Sequence, residues 1–328
     1  MVFCGNRTLR IVALLVGLAP LLLSCVKQAD GTQASLPDEK RQPISVSLRS
    51  SYRTKGTTPT ENEQRIVSLD VFVFRGNALE AHGRSGGVSV SDLLVTDGTK
   101  TIWAFTNYST ERMSAIRSLS DAEAFVPSFF ENSRTAFCMR GSRCVSVSSS
   151  STAFTVDVKR DVSKVQIASA PQFVSDASGA TLLGCYLINI PKTYGDDIVL
   201  TSGSSSLAWN FDNTVLTAVD AEVSALTSAI GTDSWQSALY GMPNSSPEAA
   251  TVDAKDYVTK YVFKASVSGS TYWYPIGIPM MRGNAVYEVD NIVINALGLS
   301  APNGYIDTRA PLYRDEKPFM SYTIEVTE

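Results

Sequence analysis

Apolar and polar residues alternate with a period of two along most of this chain, and only one stretch follows a helical period. In "PISVSLRS", Ile44, Val46 and Leu48 face one way and serines the other, which predicts a half-buried strand. "RIVSLDVFVFRGNALEA" is apolar on both sides. Val67, Leu69, Val71 and Val73 share one face, Ile66, Phe72 and Phe74 largely share the other, and Gly76-Asn77 predicts a turn. "TKTIWAFTN", "FTVDVKRDVSKVQIAS", "LLGCYLINI", "DYVTKYVFKASVSGSTYWYPIGI", "AVYEVDNIVINALG" and "SYTIEVTE" read as further strands. "TERMSAIRSLSDAEAF" has the spacing of one short helix. "SYRTKGTTPTENEQ" reads as a basic, turn-rich, exposed connection ending in acidic residues, and "CVSVSSSST" as a strand edge or linker. Short strands separated by Gly, Pro, Asn and Ser predict an all-β chain of two antiparallel β-sandwich domains in tandem, 44–158 and 159–328, with one or two short helices.

The amino-terminal pattern is different. Arg7 and Arg10 precede an apolar stretch from Ile11 to Leu23 that Gly17 and Pro20 interrupt, an organisation that suits a secretory signal over 1–24 better than a membrane span. Leu22-Leu23-Ser24-Cys25 resembles a bacterial lipobox, so Cys25 is expected to carry the lipid and to become the first mature residue. Acyl chains contribute about 0.8 kcal/mol per buried CH₂ and would hold that end at an outer-membrane surface. Residues 25–43 are polar and read as a flexible leader between lipid and fold.

Charge and chemistry narrow the function. The 28 basic and 32 acidic residues give a net charge of -4, and loss of Arg7 and Arg10 with the signal moves it to about -6, which gives no footing for nucleic acid. Triads and most acid-base sites draw on histidine, and the single one, His82, lies in the glycine-rich "EAHGRSGG", where a solvated turn is the simpler reading. No CxxC pair or zinc-like spacing occurs, and no nucleophile-base set stands out, so neither an enzyme nor a cofactor or metal is expected. Cys138 and Cys144 flank what reads as a short turn in "FCMRGSRC", and the sequence leaves a disulfide and two free thiols equally open. Cys185 alternates with Leu183 and Leu187 and reads as a small buried hydrophobe.

Several segments together resemble the fimbrillins, pilus subunits of Bacteroidales. "SLDVFVFRGNALE" is similar to the family's first retained strand, "VTDGTKTIWAFTN" to its glycine-lysine strand, "FCMRG" to a phenylalanine-x-methionine-x-glycine element and "VDVKRDVSKVQI" to the strand opening the second domain. "CYLINIPK", "YGMPN" and "YWYPIGIPMMRGNAVYEVDNIVINALG" follow in the family's order, with Gly283 inserted between Arg282 and Asn284. The matches run colinearly from about residue 66 to residue 298.

The resemblance implies transthyretin-like sandwiches, a lipidated precursor, cleavage by a surface arginine- or lysine-directed protease and polymerisation by strand insertion into a cell-surface fimbria that serves adhesion and biofilm. On that reading the strand bearing Ile44, Val46 and Leu48 is cut away at Arg53, Arg49 or Lys55, with Arg53 favoured. "SYTIEVTE" offers Tyr322, Ile324 and Val326 at the same spacing as a donor strand, against the simpler reading that it closes its own domain. The expected partners are other fimbrial subunits, the protease and, through the lipid, the outer membrane. Two alternatives stand beside this: an unprocessed anchor or tip subunit, and a surface glycan-binding lipoprotein using Trp103, Trp209, Trp235 and Trp273 as stacking platforms, although core packing explains Trp103 and Trp273 better because both lie in strand-like runs.

Overall fold

The computed structural model describes residues 40–50, 60–188, 190–192, 215–216, 226–244, 259–278, 281–300, 313–314, 317–318 and 320–327. The signal, Cys25, most of the leader, Arg53, Lys55 and Trp209 lie outside the described residues.

Seven strands precede residue 161: β1 (Gln42–Ser50), β2 (Leu69–Arg75), β3 (Ala78–Ser85), β4 (Ser89–Val95), β5 (Gly98–Thr106), β6 (Met139–Val147) and β7 (Ala153–Arg160). They form one sheet in the order β3-β2-β5-β6-β7-β1-β4. The sheet curls until apolar residues from β1, β4 and β7 meet those from β2, β5 and β6 in one core that includes Ile44, Val46, Val71, Val90, Ile102 and Val156. β2 is buried on both faces, as its pattern predicts. Leu69, Val71 and Val73 enter that core, while Phe72 and Phe74 join Phe105, Tyr108, Met113 and Ile116 beneath a helical cover.

That cover is two short helices rather than one, α2 (Thr110–Ser114) and α3 (Leu119–Glu123). Ser109 caps the first by accepting from the Arg112 N–H, and Ser118 restarts the chain with a capping box to Asp121. An earlier helical turn, α1 (Glu61–Gln64), ends the connection that the sequence presents as exposed.

From residue 163 the strands are β8 (Ser163–Ile167), β9 (Gln172–Phe173), β10 (Thr181–Ile188), β11 (Ile190–Pro191), β12 (Val215–Leu216), β13 (Ser228–Ile230), β14 (Leu239–Gly241), β15 (Thr259–Val267), β16 (Ser270–Ile278), β17 (Val286–Ile294), β18 (Tyr313–Arg314), β19 (Lys317–Pro318) and β20 (Met320–Thr327). The larger sheets run β13-β10-β15-β16 and β14-β8-β17-β20, enclosing a second core around Leu187, Tyr261, Phe263, Tyr274, Tyr287 and Val289. Among the described residues no sheet draws strands from both sides of residues 161–162. The chain is mostly β, in several sheets with a few short helices. Two of its sheets are mixed, because β1 runs parallel to β7 and β17 runs parallel to β8 and β9, whereas β13-β10-β15-β16 is antiparallel throughout.

The two cores are joined through residues 129–137. Phe129 and Phe137, which precede β6, belong to the second core, where Phe137 packs 4.6 Å from the Tyr240 ring. The Phe129 N–H donates to the Lys192 carbonyl at 2.8 Å. One glycine is set by contact: a Cβ on Gly141, in "FCMRG", would lie 1.9 Å from the Asp157 carbonyl oxygen, so β6 and β7 approach too closely there for any side chain.

Candidate functional site

β1 is not an edge strand. It lies between β4 and β7, antiparallel to the first from Gln42↔Val95 to Ser47↔Ser89 and parallel to the second from Ser45↔Ala153 to Ser50↔Val158. The Ser45 N–H donates to Thr152 at 2.8 Å on one side and the Leu48 N–H to Val88 at 2.9 Å on the other. Ile44 is 2% exposed and Val46 0%, and half-buried Leu48 packs against the same core. The alternation read from the sequence therefore marks the inward face, and the strand begins at Gln42, two residues inside the expected leader. A bulge between Ile44 and Val46, opposite Asp92 in the left-handed region at φ 60°, distorts the neighbouring end strand β4.

Arg49, one of three expected cleavage points, is occupied. Its Nε donates to Asp157 Oδ1 at 2.6 Å and its Nη2 to Oδ2 at 2.9 Å, while its backbone sits in the β7 register. Although 72% of its side chain is exposed, its backbone is not free to enter a protease as an extended substrate. Covalently, β1 reaches the rest of its sheet only through residues 51–59, the stretch that holds Arg53 and Lys55.

Removal of β1 would leave β4 and β7 each with an unpaired ladder edge, separated by an apolar slot. Burying three side chains such as Ile44, Val46 and Leu48 is worth roughly 5 to 9 kcal/mol before ordering costs. The empty slot thus favours refilling by another strand with the same spacing.

The terminal segment forms β20, paired antiparallel to β17 from Val286↔Thr327 to Ile294↔Met320 and placed at the end of its sheet. Tyr322 is 38% exposed and Val326 49%, while Ile324 is half-buried against the second core. Here the segment closes its own subunit, but by one ladder and a lightly buried face.

Where the halves meet, the segment 160–164 is tied from both sides. Glu63 of α1 is 2% exposed, and its Oε1 accepts from the Tyr240 hydroxyl at 2.6 Å and lies 3.1 Å from Lys164 Nζ and 3.6 Å from Arg160 Nη1. Burial pushes this carboxyl up, but the Tyr240 hydroxyl, the Thr60 N–H and the two cations together hold it below its ordinary value. Asp161 is bound by Arg140 at 3.0 Å and by the Tyr108 hydroxyl, and burial pushes its carboxyl up to about 6. Asn284 Oδ1 accepts from the Arg160 N–H at 3.1 Å, which gives the asparagine after Gly283 a role in the joint. Asn107, at φ 63°, accepts from the Val67 N–H and donates to the Arg65 and Phe137 carbonyls. Neither asparagine stands out in the sequence except through the family resemblance.

Two readings of the sequence are revised here. Cys138 and Cys144 are free and lie at and within one continuous strand rather than across a turn; six residues of extended chain span about 20 Å, beyond the 4.4–6.8 Å of disulfide Cα pairs. Cys138 is also buried, and burial followed by the Asp161 and Glu131 charges pushes its thiol up, so it stays protonated. His82 is no turn residue. On β3 it stacks on Phe72 at 4.3 Å and reaches buried Asp70 at 3.0 Å, with Arg84 completing the cluster. Among the described tryptophans, Trp103 packs beneath the helical cover and Trp273 is buried in β16, the core roles their strand-like runs suggest, and Trp235, which the sequence leaves unsettled, packs against the second core. Cys185 is buried as read, its thiol donating to the Ser234 carbonyl. No group of three or more potential metal ligands occurs among the described residues.

These features define a β-protein whose first strand is internal to its sheet. Residues 43–183 match the model of the family described as the major fimbrial subunit protein (FimA). Solved structures extend the likeness of fold. A fimbrilin from Porphyromonas gingivalis is 13% identical with a TM-score of 0.58, covering 87% of this chain and 96% of that one. A Bacteroides eggerthii protein assigned to cell adhesion is 15% identical with a TM-score of 0.60, covering 88% and 96%. A Parabacteroides distasonis protein assigned likewise is 11% identical with a TM-score of 0.59, covering 88% and 98%. No curated protein matches the chain by sequence.

Proposed function

We propose that this chain is a fimbrial subunit exported as a lipoprotein precursor, cleaved in residues 51–59 and polymerised by donor-strand exchange between two transthyretin-like sandwiches, 44–158 and 159–328, in contribution to adhesion. The observation that carries this reading is the position of β1 between β4 and β7, because only the loss of an internal strand opens two ladders and an apolar slot together. Within the reading, Arg53 and Lys55 are the sites of processing and Arg49 is protected by its ladder and by Asp157. The donor is β20, which leaves one ladder of its own sheet and offers Tyr322, Ile324 and Val326 to the slot of the next subunit.

Treatment of the folded precursor with an arginine-specific protease, followed by amino-terminal sequencing, tests the assignment. A new terminus at Thr54 is the expected product. A precursor that stays intact, or is cut only after Arg309 or Arg314, favours the unprocessed anchor instead. Lipidation is tested separately: Cys25→Ser removes the only atom that can take the diacylglyceryl group, so fatty-acid labelling should vanish and surface delivery with it. Label retained on the serine variant rejects the lipobox.

A further inference from the structure

Glu63 occupies a place that a capping box alone does not explain. The box needs only the reciprocal bonds, Glu63 Oε2 accepting from the Thr60 N–H at 2.7 Å and Thr60 Oγ1 from the Glu63 N–H at 3.3 Å, and such a glutamate ordinarily sits at the surface. Here the other carboxylate oxygen is buried against three elements on both sides of the joint: Arg160 at the end of β7, Lys164 on β8 and Tyr240 on β14. The Tyr240 ring is held in turn by Phe137 and by the Arg134 guanidinium, 5.7 Å from its centre. Any cut in residues 51–59 leaves Glu63 on the retained chain, within a dozen residues of the new amino terminus. Chain ends fray unless tied down.

We infer that Glu63 is a latch, a positioning residue that ties the retained end of the chain to Lys164 and Tyr240 and keeps the two halves aligned while the β1 slot is empty. The inference rests on the strand-excision reading. While β1 is in place, its two ladders and its apolar face hold the first sheet together and the latch is one tie among many. Once β1 has gone, the joint is held by residues 129–137, by Asp161, by Asn284 and by this carboxylate. Loss of its charge then leaves Arg160 and Lys164 without the anion they share, and the segment opens.

Amide exchange of residues 160–167, followed by mass spectrometry in the intact precursor and in the arginine-protease product, decides the question. Glu63→Gln keeps the shape and removes the charge. It is expected to speed exchange roughly tenfold in the cut form and less than about threefold in the precursor. Adding Lys164→Met should restore slower exchange by removing one of the two cations that shared the carboxylate. If Glu63→Gln does not fold, Tyr240→Phe, which keeps the ring and deletes the bond to Oε1, should show the same contrast more weakly. Equal acceleration in both forms, or none in either, overturns the latch while the new terminus at Thr54 still upholds excision. Absence of any cut in residues 51–59 overturns excision and the latch with it.

Discussion

Ile324→Asp is expected to abolish fimbrial polymers while lowering the melting temperature of the precursor by only a few degrees. In its own subunit Ile324 is half-buried on an end strand, where a carboxylate can reach water beside exposed Tyr322 and Val326. In the slot left by β1 the same position would stand where Val46 is fully buried, and an unpaired carboxylate there costs several kcal/mol. The two environments therefore separate the observed place of this segment in its own sheet from its proposed role as a donor. Thermal scans of both precursors, with ladders on denaturing gels after arginine-protease treatment, make the comparison. Polymers that still form, or a melting point lowered as far as a core substitution lowers it, would return residues 322–326 to their own fold alone.

Val46→Asp should have the opposite profile. Val46 sits opposite Val90 on one side and Phe154 on the other, and a carboxylate there destabilises the precursor by roughly 4 kcal/mol or more, about 10 °C in melting temperature. On the excision reading, the damage lies wholly in the strand that is discarded. Whatever precursor folds and is cut should yield a product of wild-type mass that polymerises like wild type. If the polymers keep the aspartate, or the product keeps the instability, β1 is a permanent part of the subunit.

The sequence made the elements legible and left their neighbours hidden. The alternation of Ile44, Val46 and Leu48 marks a strand face, and the two-sided apolarity of Leu69–Phe74 marks a strand covered on both faces, because each depends on local periodicity alone. The place of β1 between β4 and β7 depends on pairing with residues more than 40 positions away on one side and more than 100 on the other, for which no local signal exists. The burial of Glu63 failed for the same reason. Its capping box can be read from Thr60-x-x-Glu63, but Tyr240 lies 177 residues further on, and without that partner an acidic turn looks solvated. His82 was misplaced because a run of glycines around it suggests a loop, whereas its strand is held by the register with β2 that pairs it with Phe72. Cys138 and Cys144 looked close because the glycine between them suggests a turn, whereas Gly141 is there to let β7 pass.

Phe129 and Phe137 have a consequence for modularity. Both rings are carried by the chain before β6 yet are almost wholly enclosed among side chains from beyond Ser163. A fragment ending at Arg160 would expose two large aromatic surfaces, and one starting at Ser163 would lack the plugs that fill its interior. The two halves are thus not interchangeable cassettes: grafting either onto a foreign partner requires residues 129–137 to travel with the half whose interior they complete.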